Sequence, residues 1–279
     1  MIRAYGLRVG VDLLRTGAVR QSLPFLIQPV NYWRHLEYGI LCEALAPAAG
    51  DAILDVGSPK LLSAYLVEQA GATVWATDIE PYFLATYRAV RRVRRLPPGR
   101  LRLAVADGRR LPFATGAFDK AYALSVLEHI PGEGDSECVA EVGRVLRAGG
   151  RFAATVPFWP TSRSESKSGF YWSQSSVESQ PGQTFYQRRY SEADIHRRLV
   201  EPSGLRLRRL AYVGERVLVH SEHEVADYLN PLLGPVQPEL SRLLHTAPTD
   251  DWRTLKKPLC ALVVLEKPRA EDATCDPAS

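Results

Sequence analysis

Cysteine is scarce in this 279-residue chain, and its few cysteines form no pattern. Cys42, Cys138, Cys260 and Cys275 stand far apart, without the paired spacings of a zinc or iron–sulfur site. They read as reduced thiols of a cytoplasmic protein rather than as a disulfide framework. Long apolar runs are missing as well, since none approaches the ~20 residues that a membrane-spanning helix requires. Nor is there a large excess of one charge. The formal net charge is +4, mildly basic, and demands no polyanionic partner. The HExxH pattern is absent, so His220, His223, Glu224 and Asp227, although at helical spacings, do not argue for a metal and none is expected. No internal repeat is present. A cleaved leader is not expected either, because Arg3, Arg8, Arg15 and Arg20 interrupt every apolar stretch near the N-terminus. Residues 1–50 read instead as a helical arm packed on the main domain. Peripheral membrane contact through residues 1–30 is the alternative.

What is present is an alternation of strand and helix signals from residue 51 onward. AILDV (52–56) is a short apolar run that ends at Gly57, and residues 60–70 carry a helical apolar stripe closed by Gly71. TVWAT (73–77) is strand-like and ends at Asp78; Pro81 suits the first turn of the helix that follows. LRLAVA (101–106) ends at Asp107, and KAYALSV (120–126) is again strand-like. Residues 133–147 form an amphipathic helix, and RFAATVPF (151–158) is a fifth strand. The rhythm predicts an α/β fold, a doubly wound, mostly parallel sheet with helices on both faces. Residues 161–184, rich in serine, break the rhythm and read as a long lid loop. A helix over 191–201 and a strand over 205–212 follow, then a largely helical insertion, the strong strand LCALVVLEK (259–267), and a polar tail, 268–279, expected to be disordered.

Ligands of open α/β sheets bind beyond the carboxyl ends of the strands. Asp55, Gly57, Asp78, Ile79, Asp107, Gly108 and Ser125 all fall at or beside such ends. Gly57 permits a sharp turn and close backbone approach. Asp78 follows it by about 20 residues, the spacing at which an acid takes ribose hydroxyls, and Asp107 can accept from an adenine amino group. The ligand implied contains adenosine; each aspartate alone could equally be a helix N-cap.

The stretches ILDVGS, VWATDIEP, ADGRRLPFATGAFDKAYALSVLEHI and EVGRVLRAGGRFAATVPF resemble the class I S-adenosylmethionine (SAM)-dependent methyltransferases, the small-molecule type related to the quinone-biosynthesis enzymes. The resemblance covers residues 50–158 well and continues weakly through 190–210. It implies a Rossmann-like sheet of seven strands with the last inserted antiparallel between the fifth and sixth, over residues 51–267. Insertions at 161–184 and 214–257 are added to that plan as lid segments. It implies SAM as cofactor and in-line methyl displacement as the reaction. The turn GSPK departs from the family, which usually has a second glycine where Pro59 stands. Proline lacks an N–H, which tells against a pyrophosphate ligand more than against SAM. On this reading Ser58 and Lys60 meet the carboxylate of SAM.

His129, after the fourth strand, is the candidate catalytic base, with Glu128 beside it as a group that could orient it. Phe158, Trp159, Phe170, Tyr171, Trp172, Phe185, Tyr186 and Tyr190, with Tyr32 and Trp33, could wall an apolar acceptor pocket. Of these, Tyr32, Trp159, Tyr186 and Tyr190 are the candidate acceptor contacts. The expected function is methyl transfer to a small aromatic or lipid-like acceptor. Two alternatives are an RNA methyltransferase using Arg88, Arg91, Arg92, Arg94, Arg95 and Arg100, although nucleic acid is the less expected partner, and a SAM-binding protein without turnover.

Overall fold

The computed structural model of the protein describes residues 1–57, 61–168, 178–216, 234–269 and 271. The run of apolar residues at 52–56 forms β1 (Ala52–Val56), and the chain continues through a short helix, α4 (Leu62–Tyr65), into β2 (Thr73–Asp78). Helix α5 (Pro81–Val93) starts at its proline, as the fixed φ of that residue favours. Strands β3 (Leu101–Val105) and β4 (Phe118–Leu124), helix α6 (Gly134–Val145) and strand β5 (Leu146–Pro157) complete the regular part. Strands β9 (Arg206–Gly214) and β10 (Pro258–Glu266) close the sheet.

The strand order is β3-β2-β1-β4-β5-β10-β9. The first five strands pair in parallel, and β10 runs antiparallel to both β5 and β9. The doubly wound, seven-stranded sheet with an inserted antiparallel last strand is therefore what the chain adopts. Order reverses at β1/β4, so the groove between the carboxyl ends of these two strands is where a ligand belongs. Strand β10 is buried from Pro258 to Leu265, which explains why its sequence shows no polar alternation.

One apolar cluster, with Leu41, Leu62, Tyr87 and Val90, covers one face of the sheet; a second, with Val139, Val142, Ile195 and Leu199, covers the other. Ahead of β1 lie α1 (Ile2–Arg15), α2 (Val19–Ile27) and α3 (Tyr32–Leu45). Helix α1 sends Tyr5, Val9 and Leu13 into the first cluster. Arg94, at the end of α5, joins Asp12 of α1 at 2.5 Å and pairs with Glu68. Helix α1 thus packs against the first apolar cluster and the end of α5.

Several sequence expectations need correction. The segment 161–184 is not simply a loop: β6 (Arg163–Ser168), β7 (Glu178–Gln180) and β8 (Gln183–Arg189) form a small antiparallel sheet, with residues 169–177, and so Phe170, Tyr171 and Trp172, outside the described residues. Its cross-strand partners are polar except where Ser166 stands opposite Phe185. Glu165 accepts from Gln187 and Arg189, both at 2.6 Å, so the apolar alternation that marks a half-buried strand is missing from the sequence. The helix expected over 191–201 has one α-turn, α7 (Glu192–Asp194), and then widens into a π-helical stretch, Ile195–Val200. A similar stretch, Leu66–Ala70, follows α4. Within the second insertion the described helices are α8 (Gln237–Leu244) and a 3₁₀ turn, Trp252–Thr254. His220, His223, Glu224 and Asp227 lie outside the described residues, as do residue 270 and residues 272–279 of the tail.

Candidate functional site

Gly57, directly after β1, has φ +68°, and a Cβ there would collide with the Val126 side chain. Only glycine lets the turn after β1 pass this close to the turn after β4. Ser58 and Lys60, the next sequence candidates, lie outside the described residues. Asp78 ends β2 almost buried, and its Oδ1 accepts from the backbone N–H of Glu80 at 2.9 Å. That bond orients the carboxylate and closes the turn; Ile79 sits inside it. Gly108 is pressed against α6, since a Cβ on it would stand 2.8 Å from Cys138 Sγ. Asp107 beside it is gripped by Arg109, whose Nη2 reaches Oδ2 at 2.7 Å and whose backbone N–H reaches Oδ1 at 2.9 Å. Those bonds hold the Asp107 carboxyl below the usual carboxylate range.

Asp55 departs from its expected role. It is fully buried, accepts from Ser63 Oγ, and so fastens the start of α4 under the turn; Ser63 Oγ also lies 2.9 Å from Tyr122 Oη. It presents no exposed face to a ligand.

Beyond the ends of β4 and β5 lies a cavity of about 240 Å³. Its walls come from α3 (Trp33, Arg34, Glu37), the turn after β4 (Ser125, Glu128, His129), the end of β5 (Val156, Pro157, Trp159), β8 (Tyr186, Gln187, Arg189) and β10 with its approach (Lys257, Leu259, Cys260). Ser125 adopts φ +49°, unusual for a non-glycine residue. Its N–H donates to Thr155 O at 3.1 Å, and its hydroxyl donates to Glu37 Oε1. Thr155 Oγ1 donates to the same oxygen at 2.7 Å, while Arg34 Nη1 meets the other carboxylate oxygen at 2.5 Å and Leu124 O at 3.0 Å. Glu37 is thereby the knot that ties α3 across the ends of β4 and β5.

His129 closes a 3₁₀ turn, Leu127–His129. Its Nδ1 lies 2.7 Å from Tyr186 O, and its ring is 5.2 Å from the Tyr186 ring. Burial lowers its pKa from the usual histidine value, against the raising effect of the bond to Tyr186. The structure brings His129, Ser125, Trp159 and Tyr186 together around one space. It does not bring Tyr32 or Tyr190 there. Tyr32 is buried with its hydroxyl 3.2 Å from Glu215 Oε1. Tyr190 is buried with its hydroxyl donating to Asp135 at 2.8 Å, in a network that Arg188 and Arg198 complete. Each tyrosine's polar end already has a structural partner, which sequence position alone could not show.

Arg34, Glu37 and Cys260 are cavity residues that sequence reasoning missed. One signal was available: Glu37 is an acid on the buried face of α3, beside Tyr38 and Leu41. Among the described residues no cluster of His, Cys, Asp and Glu suits a metal ion.

A seven-stranded sheet in this order, with a glycine turn after β1 and an acid ending β2, has the Rossmann-like fold of the solved methyltransferase structures compared below. Residues 54–154 match the family model described as a methyltransferase domain, and the chain is related to the quinone-biosynthesis methyltransferases. The demethylmenaquinone methyltransferase of Parafrankia sp. (strain EAN1pec) is 36% identical over 42% of this chain and 52% of its own length. The methyltransferase GfsG of Streptomyces halstedii is 34% identical over 40% of each chain. The chain thus spans about half, or less, of the curated relatives it matches. Among solved structures, geranyl diphosphate C-methyltransferase from Streptomyces coelicolor A3(2), in complex with Mg²⁺, geranyl diphosphate and S-adenosyl-L-homocysteine, superposes with a TM-score of 0.55. That match covers 84% of this chain and 77% of the other at 14% identity. The [4+2]-cyclase SpnF gives 0.55 over 84% and 81% at 17% identity. Both likenesses concern the fold.

Proposed function

We propose that the chain, through the unit spanning residues 51–267, transfers a methyl group from SAM to a small aromatic or lipid-like acceptor by in-line displacement. The cavity carries this reading. It opens at the strand ends where the cofactor of this fold belongs, and Trp33, Trp159, Tyr186 and His129 stand in its wall among polar and charged groups. The residues fit the cofactor: Gly57 makes the sharp positive-φ turn after β1, packed against Val126, and Asp78 is an oriented carboxylate at the end of β2. Asp78 and Ile79 would hold the ribose side, Asp107 and Gly108 the adenine, and Gly57, Ser58, Lys60 and Ser125 the amino acid end. Bound SAM supplies a methyl group already activated by its positive sulfur. What remains for the protein is to orient the acceptor, exclude water and accept a proton. Trp159 and Tyr186 wall the acceptor, and His129 is the proton acceptor. Its Nδ1 faces a carbonyl, which only accepts, so the neutral ring carries its proton there and its lone pair on Nε2.

An RNA acceptor is disfavoured by how the arginines are used. Arg94 is bound to Asp12 and Glu68, Arg91 reaches Leu101 O, and Arg100 reaches Thr73 and Gly71 O. The test is incubation of the full chain with methyl-labelled SAM and either prenylated hydroquinones and phenols or RNA. Label in the organic-soluble product is expected. Label in RNA, or SAM binding with no transfer to any acceptor, would replace this reading by one of its alternatives.

The arm also supports a proposed site of peripheral membrane contact. Val11, Leu14, Val19, Leu23 and Ile27 are exposed on α1 and α2, among the exposed Arg8, Arg15 and Arg20, and no described helix is long and apolar enough to cross a membrane. Free thiols at Cys42, Cys138 and Cys260 suit a reducing, cytoplasmic location. The chain should float with anionic vesicles, and Leu23→Glu with Ile27→Glu should abolish this; flotation unchanged by the pair would remove the arm from that role.

A further inference from the structure

The cavity wall carries more positive than negative charge. Arg34, Arg189 and Lys257 line it against two acids, Glu37 and Glu128. Glu37 is already met by Arg34 and by the hydroxyls of Ser125 and Thr155. Glu128 is buried, which pushes its carboxyl up to about 8, so at neutral pH it adds little negative charge. Cations also flank the aromatic part of the wall. The Arg163 and Arg189 guanidiniums stand 5.4 and 5.8 Å from the Trp159 ring centre, and Lys167 Nζ is 3.4 Å from that of Tyr186.

Arg189, on β8, is the cation best arranged to take a ligand. Its side chain is 19% exposed, and its Nε donates to Glu165 Oε1 at 2.6 Å. That bond and the Trp159 contact orient the guanidinium. Among the described residues, its two terminal nitrogens hold no hydrogen bond. Glu165 does not cancel the local charge, because Arg163 Nη2 lies 3.1 Å from the same oxygen, so one carboxylate serves two guanidiniums. Gln187 takes the other Glu165 oxygen at 2.6 Å. A planar fork with both terminal nitrogens unpaired matches the two oxygens of a carboxylate. Arg34, on α3, is instead tied through Nη1 to Glu37 and to Leu124 O, beside Ser125, and contributes positive potential from that fixed place.

We propose that Arg189 recognises an acidic group on the acceptor, a carboxylate that accepts from its two terminal nitrogens beside Trp159. The acceptor class is then an aromatic carboxylate of the hydroxybenzoate or hydroxynaphthoate type, rather than a neutral phenol or a hydrocarbon. A wall of net positive charge among the described residues concentrates such an anion in the cavity. Arg189 acts as a specificity determinant: it holds the acceptor and takes no part in the displacement itself. This inference deepens the methyl-transfer reading and rests on it.

The test is calorimetry on the full chain saturated with S-adenosylhomocysteine, with three probes: 1-hydroxy-2-naphthoate, its neutral carboxamide and 1-naphthol. The naphthoate should bind about ten- to hundredfold more tightly than either neutral probe, the effect of a hydrogen bond to a charged group. Arg189→Gln should bring the naphthoate down to the affinity of the carboxamide and leave S-adenosylhomocysteine affinity at the parent value. Arg189→Lys keeps the charge without the fork and should retain a smaller preference. If Arg189→Gln, deprived of its bond to Glu165, fails to fold in a thermal melt, the parent's ranking of the probes and the lysine variant decide. Inorganic phosphate at the same concentration as the probe should leave naphthoate binding unchanged. Displacement by it would make this a site for free anions and overturn the proposal. Equal affinity of naphthoate and carboxamide in the parent, no binding of any probe, or a preference undiminished in a folded variant would overturn it as well. Failure of S-adenosylhomocysteine itself to bind would instead count against the methyl-transfer reading, and the same ranking, measured on the chain alone, would still decide the Arg189 subsite.

Discussion

Replacing His129 with Asn should lower turnover by about 10²–10⁴-fold and leave SAM affinity at the parent value, the range expected when a positioned base is lost. Asn is the informative choice. Its amide can still donate toward Tyr186 O, which the His129 ring now meets at 2.7 Å, but it offers no basic nitrogen to the cavity. The pH dependence has a definite sign. Burial depresses the pKa of His129, so the ring is neutral at physiological pH, and the parent's rate should fall only as pH drops below the ordinary histidine value of about 6.5. Steady-state kinetics across pH, calorimetry with SAM and a thermal melt separate the roles. Normal turnover in the variant, or a turnover loss matched by an equal loss of stability, would make His129 a structural residue.

Asp78→Ala should weaken SAM binding by roughly two to four orders of magnitude. Two ribose hydroxyls donating to one charged acceptor contribute about 1.5–3 kcal/mol each. Because Asp78 Oδ1 also accepts from Glu80 N–H, the alanine variant loses a turn bond as well. Asp78→Asn keeps an acceptor for that N–H and removes the charge, so it should fold as the parent does yet bind SAM more weakly. Parent-like affinity in both variants would remove Asp78 from the ribose role.

Most of the sheet was legible because its strands are short apolar runs punctuated by Gly57, Gly71 and Asp78, where local chemistry and tertiary position agree. The small sheet of β6, β7 and β8 was not. Its pairing rests on Glu165, Gln187 and Arg189, and polar cross-strand partners leave no periodic signal. The π-helical stretches Leu66–Ala70 and Ile195–Val200 carry ordinary helical stripes, so widening of the turn is a tertiary effect. Near the strand ends, positions set by where strands stop are legible in sequence, and positions set by packing are not. Gly57, Asp78 and Ser125 follow from where strands stop. Asp55, Tyr32 and Tyr190 were misread because burial and prior partners, Ser63, Glu215 and Asp135, cannot be seen in sequence. Arg34 and Glu37 reach the cavity from a helix outside the recognisable motifs, across the ends of β4 and β5.

The turn that lacks a second glycine bears directly on the central claim, that the strand-end groove holds SAM and not a dinucleotide. Titration of the full chain by calorimetry, with SAM and NAD in parallel, tests it. The account predicts saturable binding of SAM at one site per chain and no measurable heat from NAD. Binding of NAD without SAM, or no binding of SAM at all, would contradict it.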